Sequence, residues 1–485
     1  MSLDPADWSQ VETLSRQMAS DMVDYLRTVR DRPVWQTVPE EVKARLNEPV
    51  PMAGAPLAEV YEAFKRDVLP YPTGNIHPRF WGWVMGTGSP TAMLADMLAS
   101  GMNSHLAGYD QSAAVVERQV VSWLKSLMGF PAEASGLLVS GGTAANLNGL
   151  MAARVAKAGF DVRELGMAGG PPLRIYASTE THNWINRACE TMGMGRQSIH
   201  RIGVDAQYAI DVQACRAAIV ADLAAGYRPI AIVANCGTVN TGGIDDMAAL
   251  RQLADEFGLW LHVDGAFRAL AVLAPQGKPL VAGMELADSL AFDLHKWGYL
   301  PYEVGAVLTR DSQAQLAAWQ PQTKGGPAYL RNSGEGISVD TTYFADRDLQ
   351  LSRGFKALKV WMAFKEQGVD RIGQAISANI DQARYLGKLV EATKGMELLA
   401  PVTLNVVCLR LAPEGLDLDA ANRLNGAILA QLQVRGIAVP SQTVLGGKFA
   451  IRVANTNHRS ELSDFDLLLK SVQAIGAELL ASGAY

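Results

Sequence analysis

The chain has 485 residues, 49% of them hydrophobic and 19% charged, with a formal net charge of −6. That length exceeds one ordinary compact core and predicts two or three folded domains rather than a disordered chain. The acidic balance and the lack of any basic run argue against a nucleic-acid partner, and apolar runs such as 230–234 are too short to span a bilayer.

The N-terminal MSLDPADWSQ lacks the basic-then-apolar pattern of a signal peptide. Apolar residues at helical spacing predict a helix over 11–29. Pro33, Pro39, Pro49, Pro51, Pro56, Pro70, Pro72 and Pro78 then punctuate the chain. A segment so broken can hardly build its own core. Residues 1–85 therefore read as an arm that packs on something else, a partner subunit being the natural candidate.

From about 90 to 310, short apolar runs alternate with helical stretches. The runs lie at 137–139, 174–177, 230–234, 259–263, 289–292 and 305–308. Strands alternating with helices predict an α/β domain with a mostly parallel sheet covered on both faces. Residues 311–352 read as polar and irregular, a length that inside a compact domain is usually functional. Helical spacing resumes at 355–364. The large domain is expected to span 86–365, and 366–485 reads as a small α+β domain with strand-like runs at 404–411 and 449–454. Cys189, Cys215, Cys236 and Cys408 are scattered and form no CxxC pair. Neither zinc nor disulfides are expected, and a cytoplasmic location fits.

In an open parallel sheet, ligands bind beyond the carboxyl ends of the strands. SGGTAAN follows the first run, STETH the second, NCGT the third, DGA the fourth and DLHKW the fifth. Gly141 and Gly142 open a helix whose N-terminus would suit a phosphate, although a tight turn with a Thr143 cap explains them equally. Asp264 ends a very apolar strand, where a carboxylate is costly unless paired. It would suit a pyridine nitrogen, or equally a structural ion pair. Lys296 at the same rim can lose pKa by desolvation and condense with an aldehyde. Alone it would read as a surface lysine. His182 reads as a satisfied core histidine or as a ring stacked on a cofactor, and Thr238 as a turn residue or a hydroxyl partner. Together these residues describe one site.

The combination of HPRFWGW at 77–83, AMLADML at 92–98, SGGTAANL at 140–147, HVDGA at 262–266, HKW at 295–297 and LSRGFKALKVW at 351–361 resembles the group II pyridoxal 5'-phosphate (PLP)-dependent amino-acid decarboxylases. The resemblance covers nearly the whole chain. It implies a fold type I architecture with a seven-stranded, mostly parallel sheet and a homodimer with its site at the subunit interface. It also implies a small-molecule amino-acid substrate and no membrane partner.

Lys296 resembles the lysine that carries the cofactor. Asp264 resembles the carboxylate paired with the ring nitrogen, with Ala266 against one ring face and His182 against the other. Thr143 and Ala144 match the phosphate turn. Thr238, Asp293 and His295 match further cofactor neighbours. The implied reaction is decarboxylation of an L-amino acid, an aromatic one being a candidate, to the amine and CO2.

Two positions depart from the family pattern. The family's loop tyrosine donates a proton to the substrate carbon, and aldehyde synthases carry phenylalanine there. Ungapped counting back from the RGFKALKVW anchor puts Phe344 at that position, with Tyr343 one residue away. A one-residue gap decides between them. The substrate wall at 103–110 carries His105 and Ala107, which makes it more polar and roomier than in aromatic decarboxylases. Trp83 and Val84 remain candidates for an aromatic pocket. Oxidative deamination, another lyase reaction or transamination stay open as alternatives on the same scaffold. A non-catalytic module is disfavoured by intact Lys296, Asp264 and His182.

Overall fold

The computed structural model describes residues 2–320, 335–338 and 343–485. It divides into two compact units, one of 84–384 with 400–407, the other of 1–83, 385–399 and 408–485.

The larger unit is built on seven strands: β1 (Ser135–Val139), β2 (Leu173–Ser178), β3 (Ile199–Ile202), β4 (Arg228–Asn235), β5 (Trp260–Asp264), β6 (Ser289–Asp293) and β7 (Gly305–Thr309). Their spatial order is β1-β7-β6-β5-β4-β2-β3. The β3-β2, β2-β4, β4-β5 and β5-β6 pairs are parallel, while β7 runs antiparallel to both β6 and β1. Every residue of β1, β5, β6 and β7 is buried. This two-sided burial is why these strands appear in the sequence as continuous apolar runs rather than alternating ones.

All six expected strands are present. The seventh, β3, reads IHRI. It is an edge strand with polar residues in its middle, so no apolar run marks it. The stretch at 311–352 differs from expectation at its start. Ser312–Trp319 is a helix, because the Asp311 side chain accepts from the amides of Gln313 and Ala314 and caps it.

The second unit holds β8 (Met396–Leu398), most of β9 (Val406–Leu411), β10 (Ser441–Leu445) and β11 (Lys448–Ala454) in a four-stranded sheet, ordered β10-β11-β9-β8. The N-terminal segment belongs to this unit. Val34 N donates to Gly436 O, Phe80 bridges to Val439, and Trp81 stacks on Phe465 with ring centroids 4.8 Å apart. Much of the proline-punctuated segment thus finds its core in the same chain. Its first helix, Trp8–Arg27, is capped by Asp7 and has no buried residue.

Candidate active site

The carboxyl ends of β1, β2, β4, β5 and β6 deliver the polar residues of the larger unit. Lys296 follows β6, and its Nζ lies 2.7 Å from Asp293 Oδ2, a carboxylate almost wholly buried at the strand's last position. Burial opposes the lysine's charge. Asp293, with Asp264 behind it, outweighs that and holds the ammonium above its ordinary value. The expectation that desolvation would lower Lys296 is therefore corrected, because two carboxylates share its surroundings. Asp293 Oδ1 is buried and has no hydrogen-bond partner among the described residues. His295 packs on Tyr302, with ring centroids 4.6 Å apart, and its Nδ1 accepts from Val304 N at 3.2 Å.

Asp264 is the last residue of β5. Its Oδ1 accepts from Ala266 N at 3.0 Å, and its Oδ2 accepts from the Trp184 indole at 2.5 Å. His182 follows β2 and is open to solvent, with its Nδ1 accepting from Trp184 N at 3.2 Å. Although the residue as a whole is exposed, desolvation by the protein atoms around its ring pulls His182 below its ordinary value, while Asp264 and Asp293 act against this. His182, Asp264, Asp293 and Lys296 influence one another electrostatically, which brings groups from three separate chain segments to one rim.

The helix Gly142–Lys157 starts directly beyond β1. A Cβ at Gly142 would stand 2.8 Å from Asp293 Oδ2 and 3.0 Å from Ala266 Cβ, so glycine lets this N-terminus close on the ends of β5 and β6. Thr143 is exposed and Ala144 half-buried in the first turn, and the amides of a helix's first turn suit an anion.

A buried relay holds the helix to the sheet. Asn146 Nδ2 donates to Gly142 O at 2.8 Å, and its Oδ1 meets His262 Nε2 at 2.7 Å. His262 Nδ1 lies 2.7 Å from Ser289 Oγ, which in turn accepts from the Trp260 indole at 2.8 Å. An amide oxygen only accepts, so His262 carries its proton on Nε2 and accepts at Nδ1 from the Ser289 hydroxyl.

Burial pushes His262 down to about 3. A folded value below the ordinary 6.5 means that stability is complete above pH 6.5 and falls as the pH drops, by about 2 kcal/mol at pH 5. Asp245 has the opposite sign in the same range, because burial pushes it up to about 6. Its contribution is present below pH 4 and lost as the pH rises through 6. His262→Gln should therefore shrink the loss of denaturant midpoint between pH 7 and pH 5, since Asp245 is common to both proteins. An unchanged loss would show that His262 does not titrate on unfolding.

The other expected residues fall out as follows. Thr238 is buried, its Oγ1 3.3 Å from that of Thr241. His105 lies beside Tyr109, with ring centroids 6.2 Å apart. Ala107 is fully buried and its carbonyl accepts from Ala345 N. Val84 opens the larger unit, whereas Trp83 closes the other one, exposed, with its carbonyl accepting from Arg452 at 2.7 Å.

Phe344 is buried among Ala114, Leu137, Val139, Ala145, Ala291 and Val307. Its ring is a core element here. Tyr343 is half-buried, with its hydroxyl 3.3 Å from that of Tyr109. Sequence reasoning missed Trp184, whose only signal was its place two residues after His182, and Asn146, a polar residue inside an apolar helix start.

A lysine 2.7 Å from one carboxylate and under the influence of a second, on a rim where a helix N-terminus closes against that first carboxylate, fits the aldehyde, ring nitrogen and phosphate of PLP. The larger unit is thus the core of a cofactor-dependent α/β enzyme.

The comparisons with known proteins agree. The pyridoxal-dependent decarboxylase conserved domain matches residues 39–412. An aromatic-L-amino-acid decarboxylase of Bacillus atrophaeus is 32% identical over 477 residues, 98% of this chain and 97% of the relative. A phenylacetaldehyde synthase of Arabidopsis thaliana is 26% identical over 465 residues, 93% of each. Among solved structures, Oryza sativa TDC with PLP and tryptamine superposes with a TM-score of 0.90 at 25% identity, covering 99% of this chain and 100% of that one. The chain belongs to the pyridoxal-dependent decarboxylase family: it is a PLP-dependent amino-acid decarboxylase, a carboxy-lyase with PLP as its cofactor.

Proposed function

We propose that the chain converts an aromatic L-amino acid to the corresponding amine and CO2. The observation that carries this is the 32% identity, sustained over 98% of the chain, to an aromatic-L-amino-acid decarboxylase. Lys296 would hold the cofactor's aldehyde carbon. Asp264 would keep the ring nitrogen protonated, with Ala266 and His182 on the two ring faces. The first helical turn at Thr143 and Ala144 would take the phosphate, and Thr238, Asp293 and His295 would complete the surroundings. When bound, the cofactor supplies an electron sink for the charge left as CO2 departs. Asp293, 2.7 Å from Lys296 Nζ, is placed to exchange a proton with that amine. Trp83, Val84 and His105 are the proposed substrate contacts.

A second reading is decarboxylative oxidative deamination to an aldehyde, with dioxygen as the oxidant reduced to peroxide and water supplying the carbonyl oxygen, favoured by the 26% identity to a phenylacetaldehyde synthase. The position of Phe344 in the core speaks against it as the residue that decides this chemistry. Tyr343 is the proposed proton donor to the substrate carbon. Tyr329, the only other tyrosine in 311–352, lies outside the described residues and is its competitor.

A panel of aromatic, acidic and basic amino acids, with amine, CO2, aldehyde and peroxide all measured, tests both readings. Amine and CO2 from an aromatic substrate are expected, whereas aldehyde with ammonia and peroxide from the wild type would overturn the first reading. Loss of the donating hydroxyl should cut amine formation at least about a hundredfold. Comparison of Tyr343→Phe with Tyr329→Phe identifies the donor, and full amine formation by Tyr343→Phe would remove it from the role.

We further propose a cytoplasmic homodimer. In support, the helix Trp8–Arg27 has no buried residue and carries exposed Trp8 and Val23, and the four cysteines are free and buried. Light scattering at micromolar concentration should give twice the 52.1 kDa chain mass.

A further inference from the structure

We infer that Trp184 is a positioning residue that fixes Asp264 and His182 to one another, and so sets the geometry on both sides of the cofactor ring. The inference rests on the cofactor site described above and adds a residue to it. Trp184 is 2% exposed, so its indole N–H must find an acceptor inside the protein. The acceptor is Asp264 Oδ2 at 2.5 Å, in a bond between two buried side chains. Eighty positions separate the two residues along the chain.

This arrangement has a chemical consequence. Donors to a carboxylate stabilise its charged form, and a bond to a charged group is about twice as strong as a neutral one. Asp264 receives one donor on each oxygen, the indole on Oδ2 and the Ala266 amide on Oδ1. The indole also fixes the carboxylate's rotation, because a rigid ring holds its N–H in one direction. A carboxylate held in one orientation by two donors presents a fixed acceptor to a pyridine nitrogen. A carboxylate without its second donor is freer to rotate.

The same residue acts on His182 through its backbone. Trp184 N donates to His182 Nδ1 at 3.2 Å, which leaves Nε2 as the nitrogen that carries the proton in the neutral ring. The Trp184 ring also meets His262 edge-on, with centroids 5.8 Å apart at 77°. His262 belongs to the relay through Asn146 to the first turn of the helix Gly142–Lys157. One side chain therefore touches the ring-nitrogen side of the site and the relay behind its phosphate side. Its backbone sets the tautomer of the histidine proposed to stack on the ring.

The test uses the full-length protein. Trp184→Phe keeps an aromatic ring and removes only the donor. PLP affinity, read from the visible absorbance of the reconstituted enzyme, should weaken by about ten- to a hundredfold. The kcat for the amino-acid substrate should fall with little change in KM. Asp264→Asn and the double variant complete a cycle. If Trp184 acts through Asp264, the double variant binds PLP no more weakly than Asp264→Asn alone.

A readout independent of the cofactor is the Trp184 indole N–H resonance in the apo-protein, which should move upfield in Asp264→Asn. It does not require Trp184→Phe to fold. Unchanged PLP affinity in Trp184→Phe, additive losses in the cycle, or an indole resonance indifferent to Asp264→Asn would each overturn the inference. If the wild type takes up no PLP, the cofactor reading falls instead, and the indole resonance still decides whether Trp184 holds Asp264.

Discussion

Lys296→Ala is expected to abolish the visible absorbance that borohydride removes from the wild type, and to reduce amine formation by at least about a thousandfold. The lysine lies 2.7 Å from Asp293 and is also under the electrostatic influence of Asp264. Loss of its nitrogen removes the covalent attachment and the amine that exchanges protons at the reaction centre. The non-covalent determinants remain. Asp264 and the amides at the start of the helix Gly142–Lys157 should still retain PLP loosely, so the variant should bind it reversibly and release it on dialysis. A variant that keeps the reducible band would move the attachment to another lysine and dismantle the proposed site. Burial and the carboxylates compete over Lys296, and the carboxylates prevail. Asp293→Asn should therefore lower the Lys296 pKa, which a shift in the pH profile of PLP uptake would report.

Arg353→Met should produce the largest loss of stability. Arg353 Nη2 lies 2.5 Å from Glu117 Oε1, and both side chains are buried, at 4% and 0% exposure. The guanidinium also donates to Leu106 O and Leu138 O, each at 2.8 Å, and sits over the Phe344 ring at 5.1 Å. It thus holds the end of β1, the 103–110 wall and Phe344 together. Its removal leaves Glu117 as an uncompensated buried charge whose other oxygen already lacks a partner among the described residues. Breaking such a pair costs about 3–5 kcal/mol, a fall in melting temperature of roughly 3–5 °C in a protein of this size. The paired change Glu117→Gln with Arg353→Met should recover most of it, because the stranded charge is gone. Equal melting points for the single and double variants would mean that packing, and not the charge, sets the loss.

Much of the fold was legible because physics writes it locally. β4 appears as an unbroken apolar run since both faces of the sheet are covered. β3 left no such mark, being a four-residue edge strand with His200 and Arg201 at its centre. The helix Ser312–Trp319 was obscured by its polar neighbours, although Asp311 was a readable cap. Asp264, His182 and Lys296 were legible through a rule of position, since each follows an apolar run on a rim where a parallel sheet binds ligands.

The sequence by itself determined the strand set of the larger unit, the polar residues at its strand ends, and, through HVDGA and HKW, the family and its cofactor. Those features depend on neighbours in the chain. What only the tertiary structure decided depends on neighbours in space. The sign of the Lys296 shift required the distance to Asp293 and the presence of Asp264. The different settings of Tyr343 and Phe344 came from packing, which places Phe344 against β1 and β7 and leaves Tyr343 beside Tyr109. The tautomer of His262 came from Asn146, 116 positions away. The bond from Trp184 to Asp264 joins the segment after β2 to the end of β5. Hydrogen bonds and charges act over a few ångströms regardless of how much chain lies between the groups, so the closing geometry of this site was visible only once the sheet had been assembled.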